Sequence, residues 1–362
     1  MQLKVIRPIP KTDWIFRLAM AYLALFLAVV LLADILPLAF EPTQIDLAHL
    51  YQPPFAWELY ATQQPFHWLG TDQLGHDILA NVLYGCRTAM LVSLPAMLLA
   101  VTIGLLLGGM AGYFGDRSLQ VSRAAWFAFL LPAWLAYFYG FYLRQMALQE
   151  AFQQSFLRGM GALFISLLLF LSISLLGFPL KQLLQRWAWF RHPTFVPVDQ
   201  AVLKLIELLS SVPALVLILL LASLTKASLL LLVFITGLTC WTEPARLVRA
   251  EMLRIRNQAY IETATALGAS AWHIWFRHAL PNALPPVIVA FVFGVANLMA
   301  LESTLSFLGI GIPPDVPSWG RLINGMRINT EAWWLLILPG LILCATILSL
   351  QTCAGYWLKK RR

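Results

Sequence analysis

Charge is what this chain has least of. Asp, Glu, Lys and Arg make up only 12% of its 362 residues, against roughly a quarter in a typical soluble domain. Too few polar side chains remain to cover a water-facing surface. Cysteine is scarce too. Cys86, Cys240, Cys344 and Cys353 lie in or beside apolar runs, no two form a CxxC pair, and they read as small apolar packing residues. Catalytic signatures are missing as well. There is no GxxxxGK[ST] phosphate loop, and His273 and His278 stand five apart with no HExxH frame, a poor metal pair. No Ser-centred GxSxG occurs, nor paired intramembrane Asp. A cleavable leader is not expected: Lys4, Arg7, Lys11 and Arg17 precede a first apolar run longer than a signal h-region, which reads as a retained anchor.

What is present is hydrophobicity, 60% of residues with a mean hydropathy of +0.75. The net charge of +8 does not indicate nucleic acid, because the basic residues sit in short clusters between apolar runs rather than in one domain. A bilayer core of about 30 Å takes about 20 apolar residues in helix. Eight runs meet that length, at about 17–39, 88–112, 121–143, 159–180, 205–224, 227–247, 284–308 and 332–356. The expectation is an all-α, polytopic membrane helix bundle of about eight transmembrane helices. The polar stretch between Arg144 and Arg158 leaves an interfacial alternative open for 121–180, in which case six spans remain.

With the N-terminus inside and eight alternating spans, all but six of the 25 Lys and Arg fall inside. The exceptions are Arg87, Arg144, Arg158, Lys226, Arg321 and Arg327. That bias predicts both termini in the cytoplasm, 248–283 on the same side and 41–86 outside. In the second span Ala96, Ala100, Gly104, Gly108 and Gly112 recur every fourth residue, one stripe of small side chains. Helices in lipid associate by close backbone approach, so this helix is expected to be central, packed within the chain or along a dimer seam. The segment after the first span carries Tyr51, Pro53, Pro54, Phe55, Trp57, Phe66 and Trp68, an interfacial composition, and its Asp72 and Asp77 suit turn or cap roles.

Residues 248–283 carry the strongest signal. Residues 251–267 hold no Gly or Pro and suit one helix; Gly268 falls where a helix end needs positive φ, and Ser270 can cap a second helix running to Pro281. Pro285 and Pro286 are expected in the first turn of the next span. Two short helices meeting at a corner suit docking to another protein rather than chemistry.

This segment resembles the cytoplasmic coupling loop of ABC importer permeases, Glu-Ala-Ala, three residues, Gly, then a spacer ending in Leu-Pro. The matches are Glu262, Ala264, Gly268, Leu280 and Pro281, with Thr263 for the first Ala. Leu267-Gly268-Ala269-Ser270, Arg277-His278 and Leu280-Pro281-Asn282 are similar to the dipeptide, oligopeptide and nickel branch. So are His67-Trp68-Leu69-Gly70-Thr71-Asp72 with Gly75 and Asp77, then Tyr84-Gly85 with Arg87, and Gly112-Tyr113-Phe114-Gly115. Glu302-Ser303, Leu305-Ser306-Phe307-Leu308-Gly309 and Pro317-Ser318-Trp319-Gly320 continue the likeness, which is to the second, C-type permease of a pair.

The resemblance implies a subunit forming half of a pore for peptides or related small polar solutes in the bacterial inner membrane. Its implied partners are a second homologous permease, two ATPases and an extracytoplasmic binding protein; ATP and Mg belong to the ATPases, leaving this chain no cofactor or enzymatic role. Glu262, Thr263, Ala264, Gly268, Ala269, Arg277, Leu280 and Pro281 are the implied ATPase-coupling residues. Arg254, Arg256 and Arg277 flank the corner, either as contacts or as topology-marking charge.

Departures are His76 and Asn81 where Arg is frequent, and residues 118–197, which separate two family segments and read as an inserted helix pair at the lipid-facing periphery. The expected division is an anchor at 1–40, an external segment at 41–87, a core at 88–117 and 198–356, and the insert. Asp34, Glu243 and Glu302 sit near span ends, where snorkelling or capping suffices; Asn297 lies deeper, suited to a helix–helix hydrogen bond, and with Glu302 is a pathway candidate. The rival reading is a stand-alone secondary transporter, which calls for mid-membrane ionisable groups and paired broken helices.

Overall fold

The computed structural model describes residues 13–55, 66–116, 118–154, 156–224 and 226–361. Lys4, Arg7, Lys11, Trp57, Arg117 and Arg362 lie outside the described residues. The protein is an all-α polytopic membrane bundle. Among the described residues six helices are long and apolar enough to cross a bilayer, and two further bent pairs bring the number to eight if each is one span.

The chain divides into two compact units. The first comprises Met1–Tyr113 and Val202–Arg362, the second Phe114–Ala201. The first contains α1 (Asp13–Leu32) and α2 (Ile78–Phe114), which ends at the unit boundary. The second holds a strand, β1 (Gln120–Ser122), then α3 (Arg123–Tyr137), a π turn (Phe138–Tyr142), α4 (Gln145–Gln154), α5 (Phe156–Leu175), α6 (Gly177–Leu184), α7 (Ala188–Arg191) and β2 (Pro193–Phe195). From α8 (Val198–Ser210) the chain returns to the first unit with α9 (Ala214–Ser223), α10 (Leu229–Cys240), α11 (Thr242–Arg256), α12 (Ala259–Ala266) and α13 (Ala271–Ile274). A second π turn (Trp275–Ala279), α14 (Leu280–Phe307), α15 (Trp319–Gly325) and α16 (Trp334–Arg361) complete it.

In the second unit β1 and β2 pair antiparallel, Val121 opposite Thr194. Ser122 caps α3 by accepting from the Ala125 amide, and the Arg123 guanidinium lies 4.6 Å over the Trp189 ring. Gly177 lets α6 approach the Ala128 carbonyl of α3, where a methyl group would collide.

The first unit is organised by α2, α14 and α16. α1 runs along α16, tied by Tyr22, whose hydroxyl lies 2.9 Å from the Thr346 hydroxyl and donates to the Ile342 carbonyl at 3.1 Å. Phe16 stacks on Tyr356 at 4.1 Å. The buried hydroxyls of Ser93 and Thr236 are satisfied within their own helices: Ser93 donates to the Ala89 carbonyl and Thr236 to the Leu232 carbonyl, each at 2.7 Å, so neither brings an unpaired donor into an apolar core.

Several span limits differ from expectation, each for a local reason. α1 stops at Leu32 rather than near 39, since Pro37 lacks an amide donor and disfavours helix in the residue before it; Asp34, past the helix end, pairs with Arg87, Nη1 to Oδ1 2.7 Å. α2 begins ten residues earlier than expected, at Ile78, where Asp77 caps it by accepting from the Ala80 amide at 2.8 Å. The run 205–224 is broken: α8 and α9 meet at 72° across Ser211–Pro213, since proline lacks an amide donor and disfavours helix in the residue before it. The run 227–247 bends by 41° at Trp241.

Candidate functional site: a glycine corner and a helix-lined cavity

α12 ends in a complete Schellman cap. The Ala269 amide donates to the Ala264 carbonyl at 3.1 Å and the Gly268 amide to the Thr265 carbonyl at 3.0 Å. Gly268 has φ +82°, the left-handed conformation that glycine adopts without a Cβ penalty. Ser270 then caps α13, accepting from the His273 amide at 3.3 Å. The corner is open, since a Cβ added at Gly268 would meet nothing within 4 Å.

Two features depart from the expected geometry. The helix expected over 251–267 is interrupted at Asn257 and Gln258, where Gln258 is extended and α12 restarts. The second short helix does not stop at Pro281. A π turn carries α13 into α14, and Pro281 sits in the first turn of α14, where its missing amide costs little. Pro285 and Pro286 therefore lie inside α14 rather than opening it.

One face of the corner is anchored and the other is exposed. Ile261, Ile274, Trp275 and Ala279 are buried. Trp275 lies against Gly109 of α2, where an added Cβ would be 3.2 Å from the indole Cζ2. Asn282 Nδ2 donates to the Tyr260 hydroxyl at 3.2 Å and the His278 carbonyl at 2.8 Å, tying α12 to the start of α14. Facing out are Glu262, Thr263, Gly268, Trp272, Phe276, Arg277, Pro281 and Leu267, which is 83% exposed. Ala264, Ala269 and Leu280 are half-buried. No motif marks Trp275, and its burial is decided by the contact with α2. Arg254 pairs with Glu251 at 2.9 Å along α11.

Beneath the anchor runs the small-residue stripe of α2. Ala96 and Ala100 are fully buried. A Cβ at Gly104 would lie 2.7 Å from Pro244 Cβ, one at Gly108 would collide with the Ala245 carbonyl, and one at Gly112 would lie 2.5 Å from the Arg249 carbonyl. The stripe is thus a seam within the chain, bringing α2 and α11 to backbone contact.

A cavity of about 800 Å³ opens beside the seam, lined among others by Met97, Ser210, Pro213, Arg246, Gly294 and Asn297. The break at Pro213 forms one wall. Arg246 donates to Ser210 Oγ at 3.0 Å and pairs with Glu243 at 2.9 Å. Asn297 is exposed in this cavity and makes no hydrogen bond among the described residues, so the helix–helix bond expected for it is not formed. Glu302 differs in the other direction. It is 1% exposed and accepts from Ser318 at 2.9 Å and Ser303 at 3.3 Å, so it neither snorkels nor caps. Beside it Arg321 donates to the Ile312, Pro313 and Val316 carbonyls at 3.1, 2.8 and 2.9 Å and to that of Pro314. Burial lowers its pKa, with Asp315 and Glu302 opposing the shift.

Residues 194–360, which include the corner, most of the cavity lining and Glu302, match the family described as the binding-protein-dependent transport system inner membrane component. Residues 194–360 thus carry a domain of this transport-system family. The oligopeptide transport system permease protein OppC of Bacillus subtilis is 22% identical over 334 residues, 91% of this chain and 80% of that protein. The dipeptide transport system permease protein DppC of Haemophilus influenzae is 25% identical over 329 residues, 90% and 83% respectively. OppC of the same organism is 25% identical over 287 residues, 79% and 67%. The permease domain and these relatives are transport components rather than enzymes, and the chain is a multi-pass membrane protein.

Proposed function

We propose that this permease forms half of a translocation pore for peptides or related small polar solutes, paired with a second homologous permease and driven by ATPase subunits that dock on residues 248–283. The observation that carries the reading is the two-faced corner at Gly268. Its outer face offers Glu262, Leu267, Trp272, Phe276 and Arg277 to a partner, while Trp275 is seated on α2 behind it. A force on the outer face therefore reaches a pore helix through a packed side chain. ATP and Mg belong to the docking subunits, and an extracytoplasmic binding protein supplies the cargo. The Lys and Arg bias supports a cytoplasmic side for both termini and the corner. For transport to follow, the cargo must bind unequally to inward and outward states, and the cavity holding Asn297 and Arg246 is the inward candidate for it.

The test is co-purification from mild-detergent membranes of the wild type and Gly268→Glu, the ATPase identified by mass spectrometry. Nothing lies within 4 Å of the position, so no clash opposes folding and insertion, and the positive φ of +82° costs about 1–2 kcal/mol, read by thermal melting; the variant should lose the ATPase while retaining the second permease. A chain purified alone, or an ATPase indifferent to Gly268, defeats the reading and moves the secondary-transporter alternative ahead.

A further inference from the structure

The segment joining α1 to α2 holds a cluster that transport through the pore does not require. We propose that Asp46, His49 and His67 form a binding site for a divalent transition-metal ion of the zinc type. His49 Nδ1 lies 2.8 Å and His67 Nε2 3.5 Å from the same oxygen, Asp46 Oδ2. All three donor atoms fall within 4.8 Å of one another. Metal bonds of about 2.0–2.2 Å in a tetrahedral site place donor atoms about 3.4 Å apart, so a small rotation of His49 closes the set and leaves a fourth position for water. Two imidazoles and one carboxylate suit zinc and its neighbours rather than calcium or magnesium.

The groups around the three donors are arranged as a metal site needs. Asp46 Oδ1 accepts from the Ala48 amide at 3.0 Å, which aims Oδ2 at the two imidazoles. His67 is 3% exposed and stacked at 3.9 Å on Phe40, so its ring is fixed. Its Nδ1 lies 3.0 Å from Asp77 Oδ1. A proton held there leaves Nε2 as a lone-pair donor facing Asp46, the carboxylate–histidine–metal relation that orients ligands and raises their basicity. Asp77 is itself held, since its other oxygen caps α2 through the Ala80 amide. Asp46 is fixed from behind by Gly75, at φ +79°, whose missing Cβ makes room for the Asp46 carbonyl. Asp46 and His49 are partly exposed, with side chains 27% and 19% accessible, so an ion can enter. A bound ion would fasten the joining segment to the first turn of α2.

The test uses the tag-free full-length chain in detergent micelles, stripped with EDTA and titrated with Co²⁺ followed by Zn²⁺. One Co²⁺ per chain, with the visible bands of a tetrahedral nitrogen–oxygen site and displacement by Zn²⁺, is expected. His49→Ala removes a partly exposed ligand, should keep the wild-type melting temperature in EDTA and should lose the bands. Asp77→Asn should weaken Co²⁺ binding by about 10–100-fold. A wild-type chain that binds no Co²⁺, or a folded His49→Ala chain that binds it as the wild type does, overturns the site. An unweakened Asp77→Asn chain overturns the role given to Asp77.

Discussion

Gly108→Ala puts the packing of the permease core at most risk from the smallest change. A methyl group there would overlap the Ala245 carbonyl oxygen, and it would stand 2.9 Å from both Ala245 C and Ala245 Cα. The obstacle is backbone on a neighbouring helix, so no side-chain rotation relieves it; α2 and α11 must separate. Two effects compete. Replacing an interior helical glycine by alanine favours the helix by up to about 1 kcal/mol, whereas overpacking a filled core costs about 1–3 kcal/mol. With a rigid obstacle the upper half of that range applies, giving a net loss of about 1–2 kcal/mol. At about 2–4 °C per kcal/mol for larger domains, the melting temperature falls by several degrees. The assay is intrinsic tryptophan fluorescence of the purified chain in detergent, with Gly340→Ala as the control. Gly340 lies inside α16, where an added Cβ meets nothing within 4 Å, so only the propensity gain acts and the melting temperature holds or rises. If Gly108→Ala melts at or above Gly340→Ala, the glycine seam does not hold α2 against α11 and the argument is refuted.

Trp275→Ala leaves a large cavity against α2 and should cost about 3–5 kcal/mol, while Trp272→Ala, half exposed, should change the melting temperature little and weaken ATPase co-purification instead. Arg321→Lys should destabilise by about 2 kcal/mol or more, because a single ammonium cannot serve the carbonyls that the guanidinium spans; a melting temperature equal to wild type would show that the loop from Ile312 to Val316 holds itself. Asn297→Leu breaks no hydrogen bond, so stability should stay within about 0.5 kcal/mol, yet uptake of labelled peptide by cells should drop if the cavity carries cargo.

The sequence made the class of the molecule and the position of the corner plain. Long apolar runs specify membrane helices because the bilayer leaves no alternative for backbone polar groups, and Gly268 is legible because a Schellman cap needs a residue at positive φ just beyond the helix. Asp77 as a cap and Asp72 in a turn followed from the same local rules. Asp72 Oδ1 accepts from the Leu74 and His76 amides at 2.8 and 2.9 Å. What escaped were features decided across the fold. Hydropathy runs straight over Ser211–Pro213, and only packing shows that the chain turns by 72° there. Glu302 looked peripheral by its distance from the end of its span; that Ser318, sixteen residues on, folds back to bond it is invisible in a window of one helix. His67 and Asp46 stand 21 positions apart in the sequence and fit no spacing motif.

The depth of the seam bears on mechanism. Helices held by long side chains can slide, because rotamers absorb the displacement. Helices held backbone to backbone cannot, so α2 and α11 move as one body wherever Gly104, Gly108 and Gly112 meet Pro244, Ala245 and Arg249. The corner follows α11 through only Asn257 and Gln258, and it is seated on the same α2 through Trp275 and Gly109. Displacing the corner therefore moves α2 and α11 together. The chain breaks at Pro213 and Trp241 are then the places where such a motion is accommodated, and both border the cavity that holds Asn297 and Arg246. On the proposed function, a docking subunit would need only to shift the corner to change the cavity. Because the corner is open at Gly268, the contact that drives the shift can be removed without disturbing the seam that transmits it. Gly268→Glu and Gly108→Ala should consequently fail in different ways: the first carries only the local strain of a side chain at φ +82° and should lose its ATPase, the second should keep the docking surface and lose stability through the seam.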